Sequence, residues 1–261
     1  MTVLIKYPKQ SAKRNKEWVK RMEEKNINWA QWGGWFDSDG SFGKAYNKKN
    51  KVIEYAVEFK LKDPDPVELF SKIFETTFFY NEWNTKTPNG NKYIAKTFRA
   101  QLKGERAFWF TNKIKKYILQ KTEDMQRLLS ESSTYKPYSE VWSKEEWISY
   151  ITTLMEGDGS YHDVSKLVNP YHYFSLCSTN VHFLQYITKE LKKHNILDFS
   201  KPYLINKYIK KDGTEGMEYL LWSAGGREKN KKVLESLLPY MTMNRKKQNV
   251  LNTLAWINAK S

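Results

Sequence analysis

Residues 29–46 read WAQWGGWFDSDGSFGKAY, and residues 147–163 read WISYITTLMEGDGSYHD. Laid over each other, both give an acid, one residue, then Asp-Gly-Ser-aromatic: Asp37, Ser38 and Asp39-Gly40-Ser41-Phe42 against Glu156, Gly157 and Asp158-Gly159-Ser160-Tyr161. Asp39 and Asp158 stand 119 residues apart, about the length of a small domain, so the chain reads as an internal repeat. Each motif closes a helix with a recognisable start. Asn28 with Gln31 and Ser143 with Glu146 have capping-box spacing. Trp32, Trp35 and Phe36 keep helical spacing, as do Ile148, Ile151 and Met155. Both helices are expected to stop at the glycine after the aspartate, where a left-handed cap needs no Cβ.

Beyond each motif the pattern turns to period two. Residues 52–62 (VIEYAVEFKLK) alternate as a strand, and residues 171–178 (YHYFSLCS) do so less cleanly. Helices follow at 66–76 and 181–194, then strands at 92–103, 203–210 and 217–222, with turn chemistry at Pro88-Asn89-Gly90 and Lys211-Asp212-Gly213. One terminal helix is expected in each half, at 108–129 and 229–254. The fold class is α+β: two pseudo-symmetric halves, each helix–strand–strand–helix–strand–strand–helix. The first half runs over 28–129 and the second over 143–261, joined by the polar linker 130–142. Residues 1–27 form a basic extension whose Glu17, Glu23 and Glu24 argue against a transit peptide.

Lys and Arg number 44 among 261 residues, against 29 Asp and Glu, a net charge of +15. A chain this basic suits a polyanion. The single cysteine, Cys177, excludes a disulfide framework and a CxxC zinc site. His162, His172, His182 and His194 lie too far apart for a local ligand pair. No stretch approaches the roughly 20 apolar residues of a membrane span, so a membrane is not among the expected partners.

An aspartate in the last turn of a helix faces the negative end of the helix dipole. Its occurrence twice, at matching positions, asks for a compensating cation. Two such helices side by side would bring Asp39 and Asp158 together, and close carboxylates repel unless a proton or metal lies between them. Oxygen ligands suit Mg2+, which keeps waters and binds phosphate, the chemistry of metal-assisted phosphodiester hydrolysis. An EF-hand loop fails, because Trp35 and Tyr46 occupy its first and last positions. One Asp-Gly would read as a mere turn, but two in the same helix-to-strand context do not. Gly33 and Gly34 inside the first helix each cost about 1 kcal/mol relative to Ala, tolerable where two backbones approach closely.

WGGWFDSDG at 32–40 and ITTLMEGDG at 151–159 resemble the nine-residue LAGLIDADG motif of homing endonucleases, twice in one chain, and the resemblance extends over roughly 28–257. It implies saddle-like antiparallel sheets and motif helices at the interface between halves. It further implies a monomeric, intron-encoded endonuclease that cuts double-stranded DNA with Mg2+, for which Ca2+ or Mn2+ can substitute. Metal ligands carried over are Asp39 and Asp158, with the carbonyls of Ser38 and Gly157. Assisting residues fall, by rough correspondence, at Lys62, Lys103, Ser178 and Arg227. Thr152 and Thr153 replace the small residues of the motif, which implies a looser or shifted interface.

DNA contact is expected from the strands: Lys44, Tyr46, Asn47, Lys48, Lys49 and Lys51 on the first hairpin, with Lys92, Lys96 and Arg99 on a later strand. Lys201, Tyr203, Asn206, Lys207, Lys210 and Lys211 are the counterparts in the second half. A β-ribbon fits the major groove. Strands of about 10 residues span about 33 Å, or about 10 base pairs per half, and the unlike halves imply a non-palindromic target. The same resemblance also covers maturases, with intron RNA as partner, and cleavage-inactive DNA-binding proteins of the same fold.

Overall fold

The structure, a computed structural model, describes residues 9–47, 52–86, 90–129, 141–167, 172–210 and 212–260. A first helix, α1 (Lys9–Glu23), precedes the repeat. The first half then runs α2 (Trp29–Ser38), β1 (Gly40–Asn47), β2 (Val52–Leu61), α3 (Pro64–Phe74), β3 (Phe78–Lys86), β4 (Lys92–Lys103), α4 (Glu105–Ile114) and α5 (Thr122–Leu129). The second runs α6 (Lys144–Asp158), β5 (Gly159–Tyr161), β6 (Phe174–Ser178), α7 (Val181–Lys193), β7 (Tyr203–Ile209), β8 (Glu215–Trp222), α8 (Arg227–Leu237) and α9 (Asn244–Ala259). Both described sheets are antiparallel and share one topology, β1-β2-β4-β3 and β5-β6-β8-β7.

Register separates the two faces of each sheet, because directly paired residues share a face. Val57 pairs with Leu102 and Phe59 with Ala100, all buried against the helices. Their neighbours Glu58 and Lys60 pair with Gln101 and Arg99 on the opposite, open face. In the second sheet Leu176 and Leu221 form the inner pair, while Cys177 and Leu220 turn the other way. The first core is aromatic: Trp32, Trp35 and Phe36 meet Phe59, Phe70, Phe74 and Phe110, with Phe36 and Phe110 centroids 4.9 Å apart. The second core is mostly aliphatic, built on Ile151, Leu154, Ile187 and Leu221.

Three features depart from the sequence expectation. Strand β3 (FFYNEWNTK) was not read, because it is exposed along nearly its whole length and shows no alternation. Each terminal helix is broken in two. A 3-10 turn at Lys115–Tyr117 separates α4 from α5, and another at Leu238–Tyr240, carrying Pro239, separates α8 from α9. The N–H groups beyond each break bind an acid of the motif and so cannot continue a helix. Finally, neither motif glycine is left-handed: Gly159 has φ −116°, and Gly40 is absent from the positive-φ glycines. Glycine is needed at both for space. A Cβ at Gly40 would fall against the Phe36 ring, and one at Gly159 would lie 2.6 Å from the Ser175 carbonyl oxygen.

Helix α1 is anchored by Trp18, which is fully buried. Its Nε1 donates to the Phe74 carbonyl (2.9 Å), its ring meets Trp109 edge-on (5.2 Å), and Arg106 lies over it. Trp18→Ala is expected to cost about 3 kcal/mol, since the helix can shift only part-way into the gap. Urea unfolding measures it, and an unchanged midpoint would mean that α1 adds nothing to the fold.

Candidate active site at the paired helix ends

Helices α2 and α6 start as their caps dictate. Asn28 accepts from the Gln31 N–H (3.1 Å), and Ser143 and Glu146 close a full capping box. The Gln31 side chain does not return to its cap. It reaches the second half and donates to the Tyr240 carbonyl (2.9 Å).

The two helices pack face to face at close range. A Cβ at Gly34 would overlap the Tyr150 carbonyl and the Thr153 hydroxyl, and one at Gly157 would overlap Ser38 and Asp39. Thr153 does not loosen this contact. Its Oγ1 donates to the Gln31 carbonyl (2.7 Å) across the interface, so a polar side chain is accommodated by a hydrogen bond between helices. Thr152 turns back and donates to the Ile148 carbonyl (2.7 Å).

Asp37 and Glu156, at equivalent places in the motif, are buried and serve the breaks in the terminal helices. Asp37 accepts from the N–H groups of Leu119 (2.6 Å), Gln120 (3.0 Å) and Lys121 (3.1 Å), and from the Tyr150 hydroxyl (2.7 Å). Glu156 accepts from the N–H groups of Thr242 (2.9 Å) and Met243 (2.7 Å) and from the Thr242 hydroxyl (2.9 Å). Burial raises both carboxyls, and these donors draw them back down.

Each break therefore delivers a lysine to the end of a motif helix. Lys121 Nζ donates to the carbonyls of Ser38 (2.7 Å) and Gly40 (2.6 Å). Lys246 Nζ donates to the carbonyls of Met155 (3.2 Å), Glu156 and Gly159 (2.7 Å). These ammoniums meet the negative ends of α2 and α6, the compensation that the terminal aspartates require. Burial lowers both lysines, Lys246 to about 8.

Asp39 caps α2 and Asp158 ends α6. Burial raises the Asp39 carboxyl, opposed by Ser38, Lys121 and Lys246. Asp158 is raised from 3.8 to about 7, by burial first and by the negative charge of Asp39 second. Each aspartate opens into a cleft built from both halves. Asp158 shares one with Gln120 and Lys121 of the first half and Cys177, Ser178, Thr179, Asn180 and Glu218 of the second. Asp39 shares the other with Lys60, Lys62, Asp63 and Thr97 of the first half and Arg245 and Lys246 of the second.

The donor set fits a hard divalent cation. Asp39 Oδ2 is buried with no hydrogen-bond partner among the described residues, an orphan that a cation would satisfy. No cluster of three His, Cys, Asp or Glu side chains able to hold a metal occurs among the described residues. Two carboxylates with carbonyl oxygens nearby suit Mg2+, which keeps its waters and completes its shell with substrate phosphate.

No family profile matches the chain, and comparison with characterised protein sequences finds no relative. Its fold does have counterparts among solved structures. The LAGLIDADG meganuclease I-AabMI bound to uncleaved DNA matches over 90% of this chain and 93% of its own, with TM-score 0.51 and 12% identity. This chain has the LAGLIDADG meganuclease fold. The LAGLIDADG homing endonuclease I-GzeII in complex with its DNA target is also similar (TM-score 0.49, 14% identity, 90% and 91% covered). So is the homing endonuclease I-WcaI bound to its DNA recognition sequence (TM-score 0.48, 14% identity, 89% and 91% covered).

Within this LAGLIDADG frame the structure sorts the residues expected from sequence. Asp39, Ser38 and Gly157 meet at the α2–α6 contact, Asp158 lines a cleft with Ser38 and feels the charge of Asp39, and the Ser38 carbonyl already accepts from Lys121. Lys62 and Ser178 line the two clefts, and Ser178 donates to Gln120 Oε1 (2.8 Å). Lys103 and Arg227 are not brought there. Lys103 ends β4 beside Asn15, Thr76 and Arg106, and Arg227 begins α8, donating to the Lys260 carbonyl (3.0 Å) with its guanidinium over Trp256. The helix-end lysines Lys121 and Lys246 do line the two clefts. Pro239, before the second break, was the one available signal.

Among the expected DNA contacts, Arg99 lies on the open face, 3.6 Å from Glu58 and over the Phe79 ring. Tyr203 and Asn206 pair with Leu220 and Glu218 on the open face of the second sheet. Lys92, Lys96 and Lys207 are exposed but, by register, stand on the same side as the inner pairs. Lys201 lines a groove with Lys189 and Lys192, and Lys210 is exposed just past β7. Lys44, Tyr46 and Asn47 belong to β1, paired with Tyr55, Ile53 and Val52. Lys48, Lys49, Lys51 and Lys211 lie outside the described residues.

The raised Asp158 carboxyl has a consequence for stability. A carboxyl lifted in the folded state binds its proton more tightly there than in the unfolded chain. Its cost to the fold is full above about pH 7 and disappears as pH falls toward the unfolded value near 3.8. Without divalent cation, Asp158→Asn is therefore expected to be more stable than the parent by about 2 kcal/mol near pH 8, after discounting for solvent screening. The gap should close near pH 4. Equal urea midpoints at the higher pH would remove the argument.

Proposed function

We propose that the chain is a site-specific DNA endonuclease that hydrolyses both strands of a long, asymmetric double-stranded target. The observation that carries this is the pair Asp39 and Asp158, with an orphaned carboxylate oxygen, at the ends of two helices packed through Gly34 and Gly157. A divalent cation, Mg2+ by preference, would be held by these two carboxylates with carbonyl oxygens of the last helical turns. It would supply Lewis-acid stabilisation of the reacting phosphate and activation of water.

The residues of the chain divide the remaining work. Lys121 and Lys246 fix the helix-end carbonyls and place positive charge beside the aspartates, where negative charge builds on a phosphate in transit. Lys60, Lys62 and Arg245 in one cleft and Gln120 and Ser178 in the other are placed to contact a backbone phosphate. The open faces of the sheets, with Arg99, Tyr203 and Asn206, read the duplex on either side. That I-AabMI, which shares the fold, was determined on uncleaved DNA supports duplex DNA as the ligand. The protein is expected to act as a monomer, since each cleft already takes residues from both halves.

The test is selection of a bound duplex from a randomised library, followed by incubation with Mg2+ or with EDTA. Linear cuts on both strands that need the cation support the reading. A duplex bound but never cut in Mg2+ or Mn2+ would reject it in favour of a binding protein on the same fold. A short or perfectly palindromic target would contradict the asymmetric, monomeric form.

A further inference from the structure

The two clefts share a common set of charges. Each has one motif aspartate (Asp39 or Asp158), one buried acid (Glu156 or Asp37) and one helix-end lysine (Lys246 or Lys121). What remains differs in sign. The Asp39 cleft adds Lys60, Lys62 and Arg245 and one acid, Asp63, which Arg245 contacts at 3.1 Å. The Asp158 cleft adds no cation and one acid, Glu218. Lys60 and Lys62 are exposed, and Glu218 stands on the open face opposite Asn206, where its charge adds to burial in raising the Cys177 thiol.

We propose that the strands are cut in a fixed order, the strand whose scissile phosphate sits in the Asp39 cleft first. The proposal rests on the endonuclease reading. On each strand a water oxygen bonds to phosphorus, one P–O ester bond breaks, and the leaving oxygen takes a proton; no oxidant or reductant is needed. Charge builds on the phosphoryl oxygens as this happens, and preorganised cations lower its cost. Lys60, Lys62 and Arg245 provide that on one side, while Glu218 repels both the phosphate and its transition state on the other. The second cut is expected to lag by about tenfold or more, so that nicked duplex accumulates.

The experiment uses the full chain and a duplex recovered from a randomised library, labelled on one strand at a time. In Mg2+, single-turnover rates are compared between strands for the parent, Lys62→Gln and Glu218→Gln. In Ca2+, phosphate ethylation interference is mapped on both strands without relying on cutting. The expected result is one fast strand, slowed selectively by Lys62→Gln, and one slow strand, accelerated selectively by Glu218→Gln. Ethylation should interfere more strongly at the scissile phosphate of the fast strand. Equal rates, or substitutions acting on both strands alike, overturn the order of cutting. Equal interference on both strands in Ca2+ also overturns it, even if neither strand is cut, whereas binding without any cutting overturns the endonuclease reading on its own.

Discussion

Asp39→Asn is expected to lower cleavage of both strands by more than about 10³-fold while changing DNA affinity by no more than about threefold. The amide keeps the size of the side chain and its place at the end of α2. It removes the charge that would hold a cation at the orphaned oxygen. Asp158→Asn is expected to do the same, because the two carboxylates already act on one another. Affinity is expected to come from elsewhere, from the lysines and the open sheet faces. Gel shift in Ca2+ and cleavage in Mg2+ measure the two effects separately. A variant that still linearises its target at the parental rate would remove Asp39 from the site. Asp37→Asn makes the instructive contrast, since Asp37 binds three backbone N–H groups and Tyr150 and its loss should show first in stability.

Gly34→Leu is expected to cost more than about 4 kcal/mol, enough to leave much of the chain unfolded. The Cβ alone would overlap the Tyr150 carbonyl and lie 3.0 Å from the Leu154 nitrogen. Those are backbone atoms in the middle of a helix and cannot step aside as a flexible side chain could. The only relief is to separate α2 from α6, which would also break the hydrogen bond from Thr153 to Gln31. Thermal melting decides it, and a midpoint within a degree or two of the parent would show that the helices are not in tight contact there.

The doubled motif made the architecture legible because the forces that form it are local. Caps at Asn28 and Ser143, helical spacing of Trp32, Trp35 and Phe36, and alternation in VIEYAVEFKLK can all be read without a partner. Strand β3 could not be read, since a strand exposed on both faces has no burial to impose a pattern. The site was legible only in part. Asp39 and Asp158 announce themselves by repetition, whereas Lys121 and Lys246 sit among many lysines, with only Pro239 ahead of the second break as a local signal. What sets them apart is that Asp37 and Glu156 capture backbone N–H groups 82 to 87 residues away and break the terminal helices at those points. A capture over that distance leaves no trace in local propensity, so the terminal helices read as continuous. Lys103 and Arg227 follow from rough correspondence with the resembled family, whose basic residues are tied less tightly to the motif than its acids are.

The clefts are crossed: Lys121, bound to the end of α2, lines the cleft of Asp158, and Lys246, bound to the end of α6, lines the cleft of Asp39. This arrangement bears on how such a chain can be rearranged by recombination. On the proposed endonuclease reading, exchanging one half for that of a distant relative would renew the recognition surface of that half, but it would also replace one wall of each cleft. Compatibility between unlike halves is thus decided at the short segments after the helix breaks, around 119–121 and 242–246, and at the faces of α2 and α6. A graft that carries these segments along with the opposite half should keep its chemistry while changing what it reads. On that reading, modular specificity and a shared seam coexist in one chain because so few residues hold the seam.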